Sequence, residues 1–313
     1  MQPKHEDYEF ELDLALSAVV GLRSTIHADA FTAKTLGTER GGNGVLISRE
    51  GLVLTIGYLV VEAETVWISL ADGRSVQGHV LAYDHDTGFG LVQALARLDL
   101  PWLQLGSSAA AEVGDSVILA GAGGPAHAVA AEIIAKQEFA GYWEYALDEA
   151  IFTAPSHSNW GGAALIGTEG DLIGIGSLQL QQTRSDGSEE DLNMVVPIDL
   201  LKPILKDLKT TGRANRPARP WIGLYATEMS DRLVVAGVSS RGPARAAEVR
   251  SGDIIMAVAG REVHTLGELF RRIWSLGEAG VEVPLLVYRN GRTMDIRVTS
   301  ADRSSFFRSP TLH

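Results

Sequence analysis

The chain has 313 residues, enough for two or three domains, and 45% of them are hydrophobic, which excludes an intrinsically disordered protein. It contains no cysteine, which excludes disulfides and thiolate metal sites. A formal net charge of −12 argues against nucleic acid and anionic membranes as the main partners.

The N-terminal arm, residues 1–17, is acidic and mixes charged with apolar positions, a pattern that fits either a short helix or an extended arm. It lacks a basic stretch followed by an apolar core, so we expect a cytoplasmic protein. A periplasmic location is the alternative if the chain is a trimmed precursor. No run of about 18 uninterrupted apolar residues occurs, so we expect no membrane span.

From residue 18 onward, apolar runs separated by glycine turns predict short β-strands. The runs 44–48 and 52–55 are joined by a turn containing Gly51, which predicts a hairpin. The pair Asp72-Gly73 lies between two alternating runs and is a strong hairpin signal.

The second half of this region continues the pattern with a hairpin over residues 163–175. The apolar run 200–208 predicts a closing helix with Asp199 as its N-cap. A proline-containing, basic stretch at 209–219 reads as a linker.

Three segments resemble motifs of the HtrA/Deg-type serine proteases, whose catalytic domain is trypsin-like. The run Asn159-Trp160-Gly161-Gly162 resembles the family's nucleophile loop, Gly-Asn-Ser-Gly-Gly. The run 55–60, Thr-Ile-Gly-Tyr-Leu-Val, resembles its histidine motif, and 84–92 resembles its aspartate motif. On this resemblance the base, orienting carboxylate and nucleophile positions hold Tyr58, Gly88 and Trp160.

None of these three residues suits its catalytic role. A phenol with an ordinary pKa near ~10 is a poor general base at neutral pH. Glycine has no acceptor, and an indole has no nucleophilic atom. The resemblance therefore implies a degenerate triad, with Trp160 filling the vacated active site. Ser156 and Ser158, beside His157, remain as candidates for a displaced nucleophile.

Residues 220–302 resemble a PDZ domain of the HtrA type. The run Pro220-Trp221-Ile222-Gly223-Leu224 is similar to its carboxylate-binding loop, and Ser251–Gly260 to its Pro-Gly-Asp-Val-Ile segment. The resemblance implies that a peptide carboxylate binds the loop and that the peptide adds a β-strand beside a helix. The predicted peptide-binding residues are Trp221, Ile222, Gly223, Leu224, Leu269 and Ile273.

The predicted fold is mainly β, a trypsin-like double β-barrel followed by a C-terminal PDZ domain. The predicted domains are the arm 1–17, the double barrel 18–208 (about 18–110 and 111–208), the linker 209–219, the PDZ domain 220–302 and the tail 303–313. An aromatic cluster at 139–145 is predicted to plug the former cleft or to recognise a partner.

The leading hypothesis is a bacterial, proteolytically inactive HtrA-like protein of protein quality control. It would bind peptide C-termini or unfolded segments as an adaptor, scaffold or chaperone. One alternative is an active serine endopeptidase with a displaced nucleophile, and another is a regulatory subunit of an active HtrA protease. No metal, cofactor or nucleic acid is expected, and a homo-oligomer stays open.

Overall fold

The computed structural model describes residues 2–183 and 187–308, and most of its regular structure is antiparallel β-sheet. The described chain divides into two units. One contains Glu138–Asp148 together with Arg216–Phe307, and the other contains the remaining described residues. Residue 1 of the predicted arm and residues 309–313 of the predicted tail lie outside the described residues.

The unit that contains residues 2–137 and 149–215 has a short helix near its N-terminus, and this helix leads into a closed barrel. The helix is α1 (Leu12–Ser17). The six barrel strands are β1 (Val19–Ile26), β2 (Glu39–Leu46), β3 (Leu52–Ile56), β4 (Ala63–Ser69), β5 (Ser75–Tyr83) and β6 (Phe89–Ala94). They pair in the order β1-β2-β3-β6-β5-β4, and β4 closes on β1. Helix α2 (Ala33–Leu36) lies in the connection between β1 and β2.

A second closed barrel follows, and it belongs to the same unit except for the end of β8 and the start of β9. Its strands are β7 (Ser116–Ala120), β8 (Ala128–Gly141), β9 (Tyr145–Ala154), β10 (Ala164–Ile166), β11 (Leu172–Thr183) and β12 (Glu189–Pro197). They pair in the order β10-β11-β12-β9-β8-β7, and β10 closes on β7. Two closed six-stranded barrels confirm the predicted fold class for this part of the chain.

The predicted glycine turns are where the strands reverse direction. Gly51 and Gly73 have φ angles of +84° and +86°, a left-handed conformation that glycine adopts without steric cost. They connect β2 to β3 and β4 to β5. Alternating burial along β4 places every second side chain in the barrel interior, as the period of a strand requires.

The predicted helix at 200–208 is wrong in its start and its cap. The chain forms a single 3₁₀ turn over Ile198–Leu200, and the helix α3 begins later, over Leu205–Thr211. Its N-cap is Ile204. Asp199 thus lies before the helix, because its carboxylate has other partners.

Those partners come from the connection between the two barrels. The Asp199 carboxylate accepts hydrogen bonds from the Ala109 N–H at 2.8 Å and from the Ser107 hydroxyl at 3.2 Å. The Lys202 ammonium lies 2.5 Å away. Partial burial alone would raise the pKa of Asp199, but the hydrogen bonds from Lys202 and Ala109 lower it to about 2.

The second unit is a separate antiparallel sheet with two helices. Its strands are β13 (Leu224–Met229), β14 (Arg232–Val238), β15 (Ile254–Val258), β16 (Arg261–Glu262), β17 (Glu282–Arg289) and β18 (Arg292–Thr299). They follow the order β13-β14-β15-β17-β18, and β16 pairs with β15. The helices are α4 (Pro243–Ala246) and α5 (Leu266–Trp274).

Helix α5 has one apolar face, formed by residues spaced three and four positions apart. Leu266, Leu269, Phe270 and Ile273 are buried in the core of this unit. A capping box fixes the start of the helix, since the Thr265 side chain accepts from the Glu268 N–H and Glu268 reaches back. Across 2–183 and 187–308, we find no helix whose length and apolar character would carry it through a bilayer.

Candidate functional site

The three positions that the resemblance assigned to the triad lie on connections at the ends of strands. Tyr58 is in a 3₁₀ turn directly after β3, Gly88 precedes β6, and Trp160 is in the loop between β9 and β10. The Gly57 N–H donates to the Gly88 carbonyl at 2.6 Å, which brings the first two positions together. Gly88 has a φ angle of +86°, where a side chain would be strained.

The side chains of Tyr58 and Trp160 are hydrogen-bonded to each other. The Tyr58 hydroxyl donates to the Ser177 carbonyl at 2.9 Å and accepts a hydrogen bond from the Trp160 indole. Burial raises the pKa of Tyr58 far above its ordinary value, and the bond from Trp160 offsets only part of this. The phenol therefore keeps its proton and does not serve as a base at neutral pH.

The loop around Trp160 packs tightly against β11. A Cβ on Gly176 would lie 2.3 Å from the Trp160 carbonyl oxygen, so this approach requires glycine at 176. The Ala163 N–H donates to the same carbonyl at 3.0 Å, and Gly162 and Gly176 are joined by a backbone hydrogen bond of 2.9 Å. The backbone of the loop is thus fixed at Trp160 and directly after it.

A buried asparagine on β2 ties this loop to the first barrel. The Asn43 side-chain amide donates to the Asn159 carbonyl at 2.9 Å and to the Gly161 carbonyl at 3.1 Å. Its side-chain oxygen accepts from the Ala122 N–H at 2.8 Å. Sequence reasoning missed this residue, although a single polar side chain inside the run Gly41–Gly44 was a signal.

The histidine beside the candidate serines is bound to the backbone through both ring nitrogens. His157 Nδ1 accepts from the Asn159 N–H at 2.9 Å, so Nε2 carries the proton, and it lies 2.9 Å from the His127 carbonyl. The ring is buried, whereas Ser158 is exposed and Ser156 is half-buried. This arrangement does not present His157 as a base for either serine.

The predicted carboxylate-binding loop of the second unit holds a carboxylate from the chain itself. The N–H groups of Ile222 and Leu224 donate to the two oxygens of Glu144 at 3.1 and 2.6 Å. The Gly223 N–H also bonds this carboxylate. These are the three backbone donors that the sequence assigned to a peptide carboxylate.

The loop can aim three consecutive amides at one point because Gly223 has a φ angle of +77°. Its carbonyls are bound elsewhere: the Ile222 carbonyl accepts from the Ala244 N–H at 2.7 Å, and the Gly223 carbonyl from the Ser239 N–H at 2.8 Å. The donors therefore face the anion while the acceptors face away from it.

The Glu144 side chain is buried, and its surroundings have opposing effects on its pKa. Burial is the largest effect and raises the pKa of Glu144 to about 7. The amides of Leu224 and Ile222 and the charge of Arg303 oppose this rise. Sequence reasoning missed Glu144, although a single carboxylate in the aromatic run 142–145 was a signal.

The other predicted peptide-binding residues lie around this loop and in α5. Trp221 is buried, and its ring lies 5.0 Å from that of Phe306. Leu269 and Ile273 are fully buried in the core of the unit. On the edge of β13, the Ala226 N–H donates to the Tyr142 carbonyl at 3.2 Å.

Comparison with known proteins gives relatives that match a little over four fifths of the chain. A "Probable periplasmic serine endoprotease DegP-like" of Hahella chejuensis is 29% identical over 271 residues, which is 82% of this chain and 56% of the relative. The protein of that name from Halomonas elongata is 28% identical over 281 residues, with shares of 83% and 56%. The chain thus spans a little over half the length of these curated relatives.

These names contradict the expected cytoplasmic location, because the relatives are called periplasmic. The expectation depended on the missing signal-peptide pattern in the arm 1–17, and the relatives overturn it.

A solved structure of similar fold and two domain-family models point to the same kind of protein as the relatives do. The solved structure "HtrA-type protease AlgW with decapeptide" covers 96% of this chain and 100% of its own, with a TM-score of 0.55 and 19% identity, a likeness of fold. Residues 42–175 match the trypsin-like peptidase domain, and residues 220–299 match the PDZ domain. The chain therefore contains a trypsin-like peptidase domain followed by a PDZ domain, and it shares the fold of HtrA-type proteases.

Proposed function

We propose that this chain is a proteolytically inactive HtrA-type protein that binds peptide C-termini or unfolded segments through its PDZ domain. The observation that carries the proposal is the Tyr58–Trp160 pair at two of the triad positions. A buried phenol that retains its proton and an indole replace a base and a nucleophile.

The third triad position, Gly88, lacks the orienting carboxylate. Gly88 has no side chain that could orient an imidazole, and in a triad the carboxylate both orients and stabilises that ring. Members of a triad act as a unit, so the loss of one already removes most of the rate, and the loss of three leaves only binding and backbone polarisation.

The PDZ groove does not depend on the triad. Its recognition elements are the amides of Ile222, Gly223 and Leu224 and the edge of β13. Backbone amides that converge on a carboxylate, beside a strand edge that accepts another strand, are the chemistry of C-terminal peptide recognition. We assign to this groove an adaptor, scaffold or chaperone role in the periplasm, where the relatives are named to act.

The names of the relatives favour a second candidate function, serine endopeptidase activity with Ser156 or Ser158 as a displaced nucleophile. A fluorophosphonate probe, which labels activated serines, separates the two functions. We expect no labelling of the wild type. Labelling that disappears in Ser156→Ala or Ser158→Ala would show that one of these serines is an activated nucleophile and would contradict the inactive protein.

The main experiment measures casein degradation by the wild type and by the triple variant Tyr58→His/Gly88→Asp/Trp160→Ser. We expect an inert wild type and cleavage by the triple variant, with thermal unfolding as a check that both fold. Aspartate is among the residues that best tolerate the left-handed conformation at position 88. Casein cleavage by the wild type that a serine-directed inhibitor stops would contradict the proposal.

A further inference from the structure

The segment Glu138–Asp148 forms one compact unit with residues 216–307. It consists of the end of β8, the start of β9 and the turn between them, and is called here the 138–148 hairpin. This hairpin contacts the PDZ groove in three ways: through a carboxylate, along a strand edge and through an ion pair. A bound peptide would make contacts of the same three kinds.

The first contact is the carboxylate. Glu144 accepts from the amides of Ile222, Gly223 and Leu224, as a peptide's terminal carboxylate would. Both carboxylate oxygens are used, at 3.1 and 2.6 Å. A second carboxylate therefore binds these donors only after Glu144 has left.

The second contact is along the strand. The Ala226 N–H on the edge of β13 donates to the Tyr142 carbonyl at 3.2 Å, and the rings of Tyr142 and Tyr225 meet edge to face at 6.1 Å. Ala140 and Ala146 pack against the core that contains Leu269 and Ile273. The aromatic cluster at 139–145 thus packs within this unit.

The third contact is ionic and lies on α5. The Arg271 guanidinium donates to Glu138 at 2.5 Å and to Asp148 at 2.9 and 3.2 Å. These two carboxylates belong to the two strands at the base of the hairpin, with Arg271 between them. Two charge-assisted contacts to one guanidinium make Arg271 a recognition point for acidic residues in this groove.

The backbone of the hairpin is in a left-handed conformation at the residue that carries this carboxylate. Glu144 has a φ angle of +60°, a left-handed conformation that is sterically costly for a residue with a Cβ. Glycine would adopt it without that cost, yet the position holds the one side chain in the turn that bonds all three amides.

We infer that the 138–148 hairpin is a built-in ligand of the PDZ groove, and that the partner that opens the groove is a peptide with a free C-terminal carboxylate and acidic residues upstream. The inference rests on the proposed function, because it concerns the same groove. The partner's terminal carboxylate replaces that of Glu144, and its acidic residues replace Glu138 and Asp148 at Arg271.

A ligand attached to the same chain competes at a high effective concentration. The apparent affinity for an added peptide is therefore its intrinsic affinity reduced by the fraction of molecules whose groove is open. Weakening the Glu144 contact raises that fraction and tightens peptide binding, without any change in the groove itself.

The test uses the full chain and a fluorescein-labelled peptide with the sequence of residues 137–143 followed by one alanine with a free carboxylate. The variant is Glu144→Gln, which keeps the shape of the side chain. Its neutral amide presents one oxygen and an NH₂ group, and the NH₂ group cannot accept from the loop. Glu149→Gln, a substitution just outside the hairpin, is the matched control.

We expect Glu144→Gln to bind the peptide at least tenfold more tightly than the wild type by fluorescence anisotropy, with Glu149→Gln unchanged. The C-terminally amidated peptide should bind neither protein. Equal binding of the free-carboxylate peptide to the wild type and Glu144→Gln would overturn the built-in ligand and leave the proposed function standing.

If the peptide binds to no variant, the proposed function fails, and hydrogen exchange then decides the inference by itself. We expect the amides of Ile222 and Leu224 to exchange at least tenfold faster in Glu144→Gln than in the wild type. Unchanged protection of these amides would overturn the inference.

Discussion

The buried Asn43 side chain on β2 donates to the Gly161 carbonyl at 3.1 Å, next to the position where the family's nucleophile would lie. The Asn43 backbone N–H reaches the same carbonyl at 2.8 Å. Gly161 is thus bound twice by one residue of the first barrel, and the nucleophile loop has a fixed position even though its central residue is Trp160.

Replacing this asparagine by alanine should destabilise the fold. Asn43→Ala leaves the Ala122 N–H without its acceptor and the Asn159 carbonyl without its donor. Both groups are only partly buried, so each lost hydrogen bond costs about 1 kcal/mol, and we expect the free energy of unfolding to fall by about 2 kcal/mol. Urea denaturation measures it, with the exposed Glu64→Ala as a control that changes little. A loss below about 0.5 kcal/mol would contradict a stabilising role for the Asn43 hydrogen bonds.

A side chain at Gly223 should impair the carboxylate-binding loop. Alanine would be strained at a φ angle of +77°, and its Cβ would lie 3.1 Å from atoms of Gly242, Ser239 and Trp221. In the Glu144→Gln background we expect Gly223→Ala to weaken peptide binding about tenfold or more. Gly260→Ala is the control, because that glycine has a similar φ angle of +72° and nothing within 4 Å of the added Cβ. Equal effects of both alanines would mean that strain alone, and not the loop, matters.

Asp199 should make the protein less stable in acid. Its pKa is held at about 2 in the folded state, below its ordinary value of 3.8. The folded state therefore favours the carboxylate, a stabilisation present above about pH 4 and lost as the pH falls towards 2. Because the side chain is partly exposed, solvent screening reduces its worth to about 1 kcal/mol.

The measurement is urea unfolding at pH 6 and at pH 3 for the wild type and Asp199→Asn. We expect the variant to be less stable at pH 6 and to lose less stability on acidification. Parallel losses in both proteins would show that Asp199 does not carry this pH dependence.

The barrels could be predicted because their signals are local. Turns such as Asp72-Gly73 and alternating runs encode each hairpin within about ten residues. The replaced triad residues could also be identified, because each lies inside a short motif with recognisable neighbours. The hydrogen bond between Tyr58 and Trp160 was not predicted, because it joins residues that belong to two different barrels.

The contacts that escaped prediction join residues far apart in the chain. Glu144 bonds amides 78 and 80 positions later, and Asn43 bonds carbonyls 116 and 118 positions later. Neither partner has a side chain that marks the pairing, because backbone groups are the same at every residue. Asp199 shows the converse: it fitted a local capping pattern, and a contact 90 residues away prevailed.

The unit that contains the PDZ domain is discontinuous in sequence, which matters for any fragment cut from this chain. A fragment that starts in the linker would carry the amides of Ile222, Gly223 and Leu224 but not residues 138–148. Its loop would be bare, so it would bind carboxylates more strongly than the intact chain does. Affinities from such a dissected domain would describe a groove that the whole protein presents only after its own glutamate has left.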